Sequence, residues 1–207
     1  MKINTPTKFL SLAMIAGTLS MASVADAANR RGFQSTISAP NTAIKINVTI
    51  SDELAYRADH VSPHLRDRRG SRGLSNGFTN RGMYGEKELD RLAERLEQKM
   101  YRYMEKYGVE SSDDATTVLN LVITDVDNNR PTFKQLSSSP SLSYQSFGNG
   151  GAEFDGTLTQ GSEELGTVSY SWFDNDIRHA AHGHTWSDAN RAIDRFARKT
   201  AKELASN

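Results

Sequence analysis

The fold is decided by residues 152–172, which read Ala-Glu-Phe-Asp-Gly-Thr-Leu-Thr-Gln-Gly-Ser-Glu-Glu-Leu-Gly-Thr-Val-Ser-Tyr-Ser-Trp. Apolar or small residues alternate with polar residues from 152 to 159, and the alternation resumes from 167 to 172. A glycine-containing turn separates the two halves. Alternation with a period of two on both sides of such a turn is typical of paired antiparallel strands. The stretch therefore predicts a β-hairpin.

Two further strands precede this hairpin. Residues 44–50 read Ile-Lys-Ile-Asn-Val-Thr-Ile, with four β-branched residues on one face, which predicts a half-buried strand. Residues 117–124 read Thr-Val-Leu-Asn-Leu-Val-Ile-Thr and carry apolar groups on both faces, as expected of an interior strand.

Helical periodicity marks two more segments. The first begins near Glu86 and ends before Gly108, and its apolar stripe has spacings of three and four residues: Leu89, Leu92, Leu96, Met100, Tyr103 and Tyr107. The second is predicted to be capped by Thr185 or Ser187. Its inner face comprises Ala189, Ile193, Phe196, Thr200 and Leu204.

The predicted order of elements is β-α-β-β-β-α. A strand, a crossover helix and a second strand form a parallel unit, and the hairpin extends the sheet with antiparallel strands. Each helix has one apolar face, so both are expected to cover the same side of the sheet. The predicted fold class is a two-layer α/β (α+β) sandwich with a mixed sheet. It forms a single domain over residues 43–207, with an N-terminal arm at 28–42 and an Arg/Gly-rich loop at about 57–84.

The first 27 residues have the features of a cleavable signal peptide. Lys2 and Lys8 form a positive start, an apolar run too short to span a bilayer follows, and Ala25-Asp-Ala27 is a small-x-small cleavage pattern. The chain contains no cysteine, so no thiol could carry a lipid at the cleavage point. We therefore expect a periplasmic or secreted protein, processed near Ala27, with no transmembrane span in the mature chain.

Composition excludes some classes of partner. The chain has 25 basic and 25 acidic residues, and the leader holds Lys2, Lys8 and Asp26, so the mature chain carries one excess negative charge. Global charge therefore gives no sign of a nucleic-acid partner. About 180 mature residues suffice for a core without disulfides.

Three motifs between residues 123 and 197 resemble a bacterial envelope family. They are a strand ending Ile-Thr-Asp-Val-Asp-Asn-Asn-Arg-Pro at 123–131, a Gly-Gly-Ala entry at 150–152, and Trp-Ser-Asp-Ala-Asn-Arg-Ala-Ile-Asp-Arg-Phe-Ala at 186–197. Over about residues 86–205 the chain is similar to the family catalogued as domain of unknown function 3313. The resemblance implies an envelope location and the α/β fold. Most members are exported lipoproteins, whereas this chain lacks the lipid-accepting cysteine.

An arginine cluster suggests one kind of binding site. Arg66, Arg68, Arg69 and Arg72 lie in a glycine-rich segment. Guanidinium groups bind phosphates and carboxylates through paired hydrogen bonds, which in an envelope means an anionic polymer, a lipid headgroup or an acidic protein. The alternative reading is a solvated loop.

A histidine cluster suggests a second kind of site. His179, His182 and His184 fall within six residues, close to Asp174 and Asp176. Imidazole and carboxylate groups are ordinary ligands of zinc, copper or nickel. A metal-binding protein or metal-dependent hydrolase is therefore the alternative function. A solvated loop before the last helix explains the same residues.

Evidence for catalysis is otherwise weak. The chain has no cysteine that could act as a nucleophile. Asp125, Asp127 and Asp155 could pair as acid and base, but turns collect aspartate for hydrogen-bonding reasons. We expect a protein without enzymatic activity or a cofactor. Its predicted role is to bind an envelope protein or an anionic polymer or headgroup, and its oligomeric state is left open.

Overall fold

The computed structural model describes residues 32–61, 82–180 and 183–206. The predicted signal peptide lies outside these residues. Five strands form one sheet: β1 (Gly32–Ser35), β2 (Ile44–Ile50), β3 (Thr117–Asp127), β4 (Gly151–Gln160) and β5 (Glu163–Phe173). The helices are α1 (Asp52–Tyr56), α2 (Glu86–Tyr107), α3 (Phe133–Ser138), α4 (Ile177–Ala180) and α5 (Ser187–Leu204).

The sheet is mixed, as predicted. Its strand order is β1-β5-β4-β3-β2. Strands β2 and β3 are parallel neighbours, from the pair Ile44 and Thr117 to the pair Ile50 and Ile123. The other three pairings are antiparallel, and β4 and β5 form the predicted hairpin.

The two long helices lie side by side on one face of the sheet. Helix α2 packs on β2 and α5 packs on β4, β5 and β1, while the helices also contact each other. The result is a two-layer α+β sandwich, which confirms the predicted fold class. Among the helices in the described ranges, none has both the length and the apolar character needed to cross a bilayer.

Aromatic rings fill the core between α5 and the hairpin. Phe154 of β4 stacks on Phe196 of α5 with 4.8 Å between ring centroids, and Tyr170 of β5 stacks on both rings. A larger residue at position 156 would crowd this core, because a Cβ there would lie 2.6 Å from Leu121 Cδ2. The alternation that predicted the hairpin therefore identified its buried face correctly.

Helix α2 follows the predicted stripe with one difference. Leu89, Leu92, Leu96 and Met100 are buried, but Met104 is the next buried residue, and Tyr103 and Tyr107 are only partly buried. Seven residues of an α-helix turn about 20° less than two full turns, so a strict three-four stripe drifts off the buried face, and Met104 is buried in place of Tyr103. The helix ends as expected at Gly108, whose φ of 74° is left-handed.

The N-terminal arm contributes a strand to the sheet. Residues 32–35 of the predicted arm form β1, which pairs with β5. The Phe33 ring lies 6.5 Å from Phe196 and 6.4 Å from Tyr170, between centroids. Hydrophobic contact of Phe33 with the aromatic core therefore holds the arm on the sheet edge.

A polar link also joins the two helices. Lys99 Nζ of α2 lies 2.7 Å from Asp194 Oδ1 of α5, and the Tyr103 hydroxyl donates to Asp194 Oδ2 at 3.0 Å. Burial acts to raise the pKa of Asp194, but the hydrogen bonds from Lys99 and Tyr103 outweigh it. The pKa of Asp194 therefore lies below its ordinary value.

Removing the central ring of the core tests this packing. Phe154→Ala is expected to lower the free energy of unfolding by about 3–5 kcal/mol, because the cavity left beside Phe196 cannot fully close. Urea denaturation measures it. Phe133→Ala is the matched control, since that ring is 79% exposed and its loss should change stability by about 0.5 kcal/mol or less. Equal losses in the two variants would contradict the core position of Phe154.

The low pKa of Asp194 predicts how stability depends on pH. Asp194→Asn should destabilise the protein by about 0.5–1 kcal/mol at pH 7, a small value because the side chain is 39% exposed. The stabilisation is complete above the unfolded-state pKa near 4 and is lost as pH falls through the lower folded-state pKa. Urea denaturation of both proteins at pH 7 and pH 3 measures this. A deficit of the same size at both pH values would contradict an ionised Asp194.

Candidate functional site

The candidate site lies where the parallel strands β2 and β3 end. In open α/β sheets, ligands bind beyond the carboxyl ends of such strands. Chain leaving β2 enters α1 at once, since Ser51 caps the helix by accepting from the Leu54 backbone N–H. Chain leaving β3 runs through residues 128–131 into α3.

A β-bulge near the end of β3 sets which side chains reach this site. The pairing with β4 shifts register between Ile123 and Asp125, so one extra residue enters β3. Up to Ile123 the odd-numbered residues of β3 are buried, and without the extra residue Asp125 and Asp127 would follow them into the core. After the bulge the even-numbered Val126 is buried instead. The bulge thereby keeps the core apolar and turns both carboxylates toward the end of α1.

Arg57 is the centre of a buried polar cluster, which we define as Arg57, Tyr84, Asp125 and Asp127. The Arg57 side chain is 1% exposed, and its Nη1 donates to Asp125 Oδ1 at 2.5 Å. Its Nη2 donates to the Tyr84 hydroxyl at 2.5 Å and to the Val126 carbonyl at 3.2 Å. Asp127 Oδ1 lies 3.9 Å from Nη2. The cluster therefore ties α1 and Tyr84 to the end of β3.

The pKa values of Arg57 and Tyr84 do not suit proton transfer near neutral pH. Burial opposes the charge of Arg57, but Tyr84, Asp125 and Asp127 outweigh it, and its pKa is raised. Burial also raises the pKa of the Tyr84 phenol, with Arg57 opposing and the two aspartates adding to the rise. Arg57 stays charged and Tyr84 stays protonated, so neither of these two groups supplies a general acid or base near neutral pH.

Asn129 connects the end of β3 to the start of α5. Its side-chain oxygen accepts from the Asp188 backbone N–H at 2.9 Å, and its Nδ2 donates to Asp188 Oδ2 at 2.5 Å. The backbone N–H of Asn129 donates to the Thr185 carbonyl. The predicted cap of α5 by Thr185 or Ser187 is wrong: the N-cap is Trp186, which makes no side-chain cap bond. A residue 59 positions earlier in the chain supplies the capping oxygen.

Helix α3 is fixed to the same region. Thr132 and Gln135 form a reciprocal capping box at its first turn. Gln135 is buried and also donates through Nε2 to the Gly82 carbonyl at 2.9 Å, while its Oε1 accepts from Asn128 Nδ2 at 2.7 Å. Position 133, the first residue of α3, is therefore held on a rigid turn.

These elements enclose an open cleft of about 380 Å³. Two of its lining residues, Phe133 and Tyr144, are 79% and 74% exposed, the highest values among the large apolar side chains in the described ranges. The cleft is lined by Glu88, Arg130, Pro131, Thr132, Phe133, Tyr144, Gly183, His184 and Thr185.

The charged residues of the cleft hold its walls. Arg130 donates through Nε to the Gly183 carbonyl at 3.2 Å and through Nη1 to the Gln145 carbonyl at 3.0 Å. Glu88 accepts from the indole of Trp186 at 2.8 Å and from Arg91 at 2.8 Å. Both charged groups are thus engaged with the protein, and the exposed part of the cleft comprises the aromatic rim and His184.

The structure places two of the three predicted histidines. His179 is exposed in α4, with Nδ1 3.0 Å from Asp174 Oδ2, and His184 is exposed on the cleft. His182 lies outside the described residues. In the described ranges, no group of three or more His, Cys, Asp or Glu side chains is placed to hold a metal. The three-histidine metal site stays a prediction.

The other predicted sites have different outcomes. Arg66, Arg68, Arg69 and Arg72 lie outside the described residues, so anion binding by that cluster stays a prediction. Both ends of the predicted Arg/Gly-rich loop, Arg57 and Tyr84, are buried in the polar cluster. Asp125, one of the three predicted acid-base carboxylates, forms an ion pair with Arg57, which gives it a structural role.

Sequence reasoning did not identify Arg57, Asn129, Phe133 or Tyr144 as site residues. A local signal existed only for Phe133, which follows Thr132 in a Thr-x-x-Gln capping box. Asn129 lay inside the 123–131 motif, but its partner is 59 residues away. Arg57 looked like one of several loop arginines because its partners are also distant in sequence.

Comparisons with known proteins give few matches. No family model matches the chain, and no curated protein matches it. Among solved structures, a point variant of the PelC dodecamer from Paraburkholderia phytofirmans is 9% identical, with a TM-score of 0.43. It covers 84% of this chain and 97% of that chain. Another PelC dodecamer structure from this organism is 8% identical, with the same TM-score and coverage.

Breaking the polar cluster tests its structural role. Arg57→Met should lower the free energy of unfolding by about 3–5 kcal/mol, because the Asp125 and Tyr84 side chains lose their buried partner. Chemical denaturation measures the loss. Arg91→Met is the matched control: that arginine is 70% exposed and, within the described ranges, pairs with Glu88 alone, so we expect a loss of about 1 kcal/mol or less. A stable Arg57→Met protein would show that the cluster does not organise this region.

Proposed function

We propose that this chain is an exported, non-catalytic binding module of a bacterial cell envelope, and that it holds a protein partner at the cleft beyond β3. One observation carries the proposal. Phe133 and Tyr144, the most exposed large apolar side chains in the described ranges, both line that cleft. The export part rests on the signal-peptide features of residues 1–27.

The aromatic rim supports contact with a protein. Large apolar side chains left in water lose the favourable free energy of burial, so two such rings beside one cleft are expected to be covered by a partner. Aromatic side chains are enriched at the centres of protein interfaces, where a few of them supply most of the binding energy. Phe133 and Tyr144 fit that role.

The rigid frame behind the rim gives further support. Phe133 begins a helix held by the Thr132–Gln135 capping box. Arg130 donates to carbonyls on two separate loops, that of Gly183 at 3.2 Å and that of Tyr144 at 3.4 Å. A surface whose side chains are already positioned loses less conformational entropy on binding. The polar cluster and Asn129 thus serve the cleft indirectly, by fixing its walls.

The chemistry of the cleft favours binding over catalysis. Arg130 and Glu88 are engaged with backbone carbonyls, Trp186 and Arg91. Next to the cleft, Arg57 stays charged and Tyr84 stays protonated near neutral pH because the pKa values of both are raised. Neither group is therefore available there as a general acid or base.

Photo-crosslinking in the native envelope tests the proposal. A photoreactive phenylalanine analogue is placed at position 133 or 144, and at position 56 as the control, because Tyr56 is also exposed but does not line the cleft. Adducts to one protein from positions 133 and 144, but not from 56, are expected. The mass of the processed protein, measured by mass spectrometry, should match a chain that starts at Ala28.

Affinity for the captured protein is then measured with purified components. Phe133→Ala should weaken binding by about 30-fold or more, and Tyr56→Ala by less than about 3-fold. Binding through apolar rings should change little between 50 and 300 mM NaCl. No adduct at the cleft, or equal effects of both substitutions, would refute the proposal. A steep loss with salt would favour the arginine cluster and an anionic partner.

A further inference from the structure

Within one arc on the outer face of α5, every exposed charged side chain is positive, and the half-buried Asp194 and Glu203 flank this arc. We call this surface the basic ridge; it comprises Arg191, Arg195, Arg198, Lys199 and Lys202. At 100° per residue, these five positions fall within an arc of about 100°, opposite the buried stripe. Four of the five are exposed, and Arg195 is half-buried. The ridge extends for roughly 16 Å along the helix axis at 1.5 Å per residue.

Helix α2 shows that such segregation is not required by the fold. It packs on the same sheet face and has a solvent-facing side, but its sequence contains six acidic and six basic residues, intermixed along its length. Its exposed face is therefore close to neutral. The two helices have similar structural roles and different charge patterns, so packing on the sheet does not explain the positive face of α5.

Helix stability does not supply that reason. The ridge places like charges four residues apart at 191 and 195, at 195 and 199, and at 198 and 202, and such pairs destabilise a helix. The helix dipole favours cations in the last turn, which accounts for Lys202. It does not account for Arg191 and Arg195, which lie in the first half of the helix. A local arrangement that opposes stability indicates a functional surface.

Most of the ridge charge is not neutralised by the protein. Arg191 pairs with Asp188 at 3.1 Å, and the Arg195 guanidinium lies 4.3 Å over the Trp172 ring. Lys199 lies 5.3 Å over the Phe33 ring. Within the part of the chain that the structure describes, Arg195, Arg198, Lys199 and Lys202 form no ion pair with a carboxylate within 4 Å.

We propose that the basic ridge docks this protein reversibly on an anionic membrane surface, with its cations on lipid phosphates. The outer face of a helix protrudes, so a row of cations on it can reach a flat array of lipid headgroups. A polymer or peptide is held best by a groove, and the ridge is not one. Long lysine and arginine stems and the neighbouring Trp172 suit the boundary between water and lipid. Attraction to anionic headgroups acts within a Debye length and increases with each cation.

Vesicle sedimentation with the purified mature chain tests the proposal. The chain should bind vesicles containing phosphatidylglycerol at low salt, bind pure phosphatidylcholine vesicles at least about 10-fold more weakly, and dissociate at 0.5 M NaCl. The ridge variant carries Arg198→Gln, Lys199→Gln and Lys202→Gln, three exposed side chains without ion pairs. It should bind anionic vesicles at least about 10-fold more weakly than the unmodified chain.

A charge-matched variant separates the ridge from net charge. Lys87→Gln, Arg95→Gln and Arg102→Gln remove the same three charges from exposed positions of α2. This variant should lose less than about 2-fold in vesicle affinity. Thermal unfolding confirms that both variants are folded. Equal losses in both variants, or no vesicle binding by the unmodified chain, would overturn the proposal. Binding to inorganic polyphosphate without binding to vesicles would overturn the membrane assignment as well.

Discussion

The structure depends on how one buried positive charge is accommodated. A guanidinium removed from water is costly unless it is paired, and both Nη atoms of Arg57 have partners in Asp125, Tyr84 and the Val126 carbonyl. Its buried Nε has no hydrogen-bond partner within the described ranges. That requirement fixes α1 against β3 and brings the chain at Tyr84 back to the sheet. It also gives the β3 bulge its purpose, because the bulge places Asp125 within reach of Arg57 while Val126 enters the core.

The second polar contact extends this organisation to the last helix. Asn129 follows the bulged segment by only a few residues, and its amide binds both the backbone and the carboxylate of Asp188. The start of α5 is therefore positioned by the same stretch of chain that binds Arg57. Because the walls of the cleft come from residues next to these contacts, buried polar chemistry shapes a surface whose exposed part is aromatic.

The parts of the fold visible in the sequence are those whose signal is local. Alternation identified the hairpin and its buried face, and helical spacing identified α2 and α5, because each pattern repeats within one element. The cap of α5 and the pairing of Arg57 with Asp125 could not be predicted, since the partners are 59 and 68 positions apart. The candidate site could not be predicted from the sequence for the same reason. Phe133 and Tyr144 are ordinary loop aromatics until the structure shows that both line one cleft.

The distant partners of Asn129 and Arg57 also bear on the order of folding events. Helix α5 lacks a local side-chain cap, so its first turn is completed only after the end of β3 has reached it. Likewise, β1 can pair with the sheet only after β5 has formed, and β5 lies more than 130 residues later in the chain. Contacts this far apart require large loops to close before any stabilisation is gained, which slows folding. The architecture thus favours a late, cooperative transition over stepwise assembly from stable pieces.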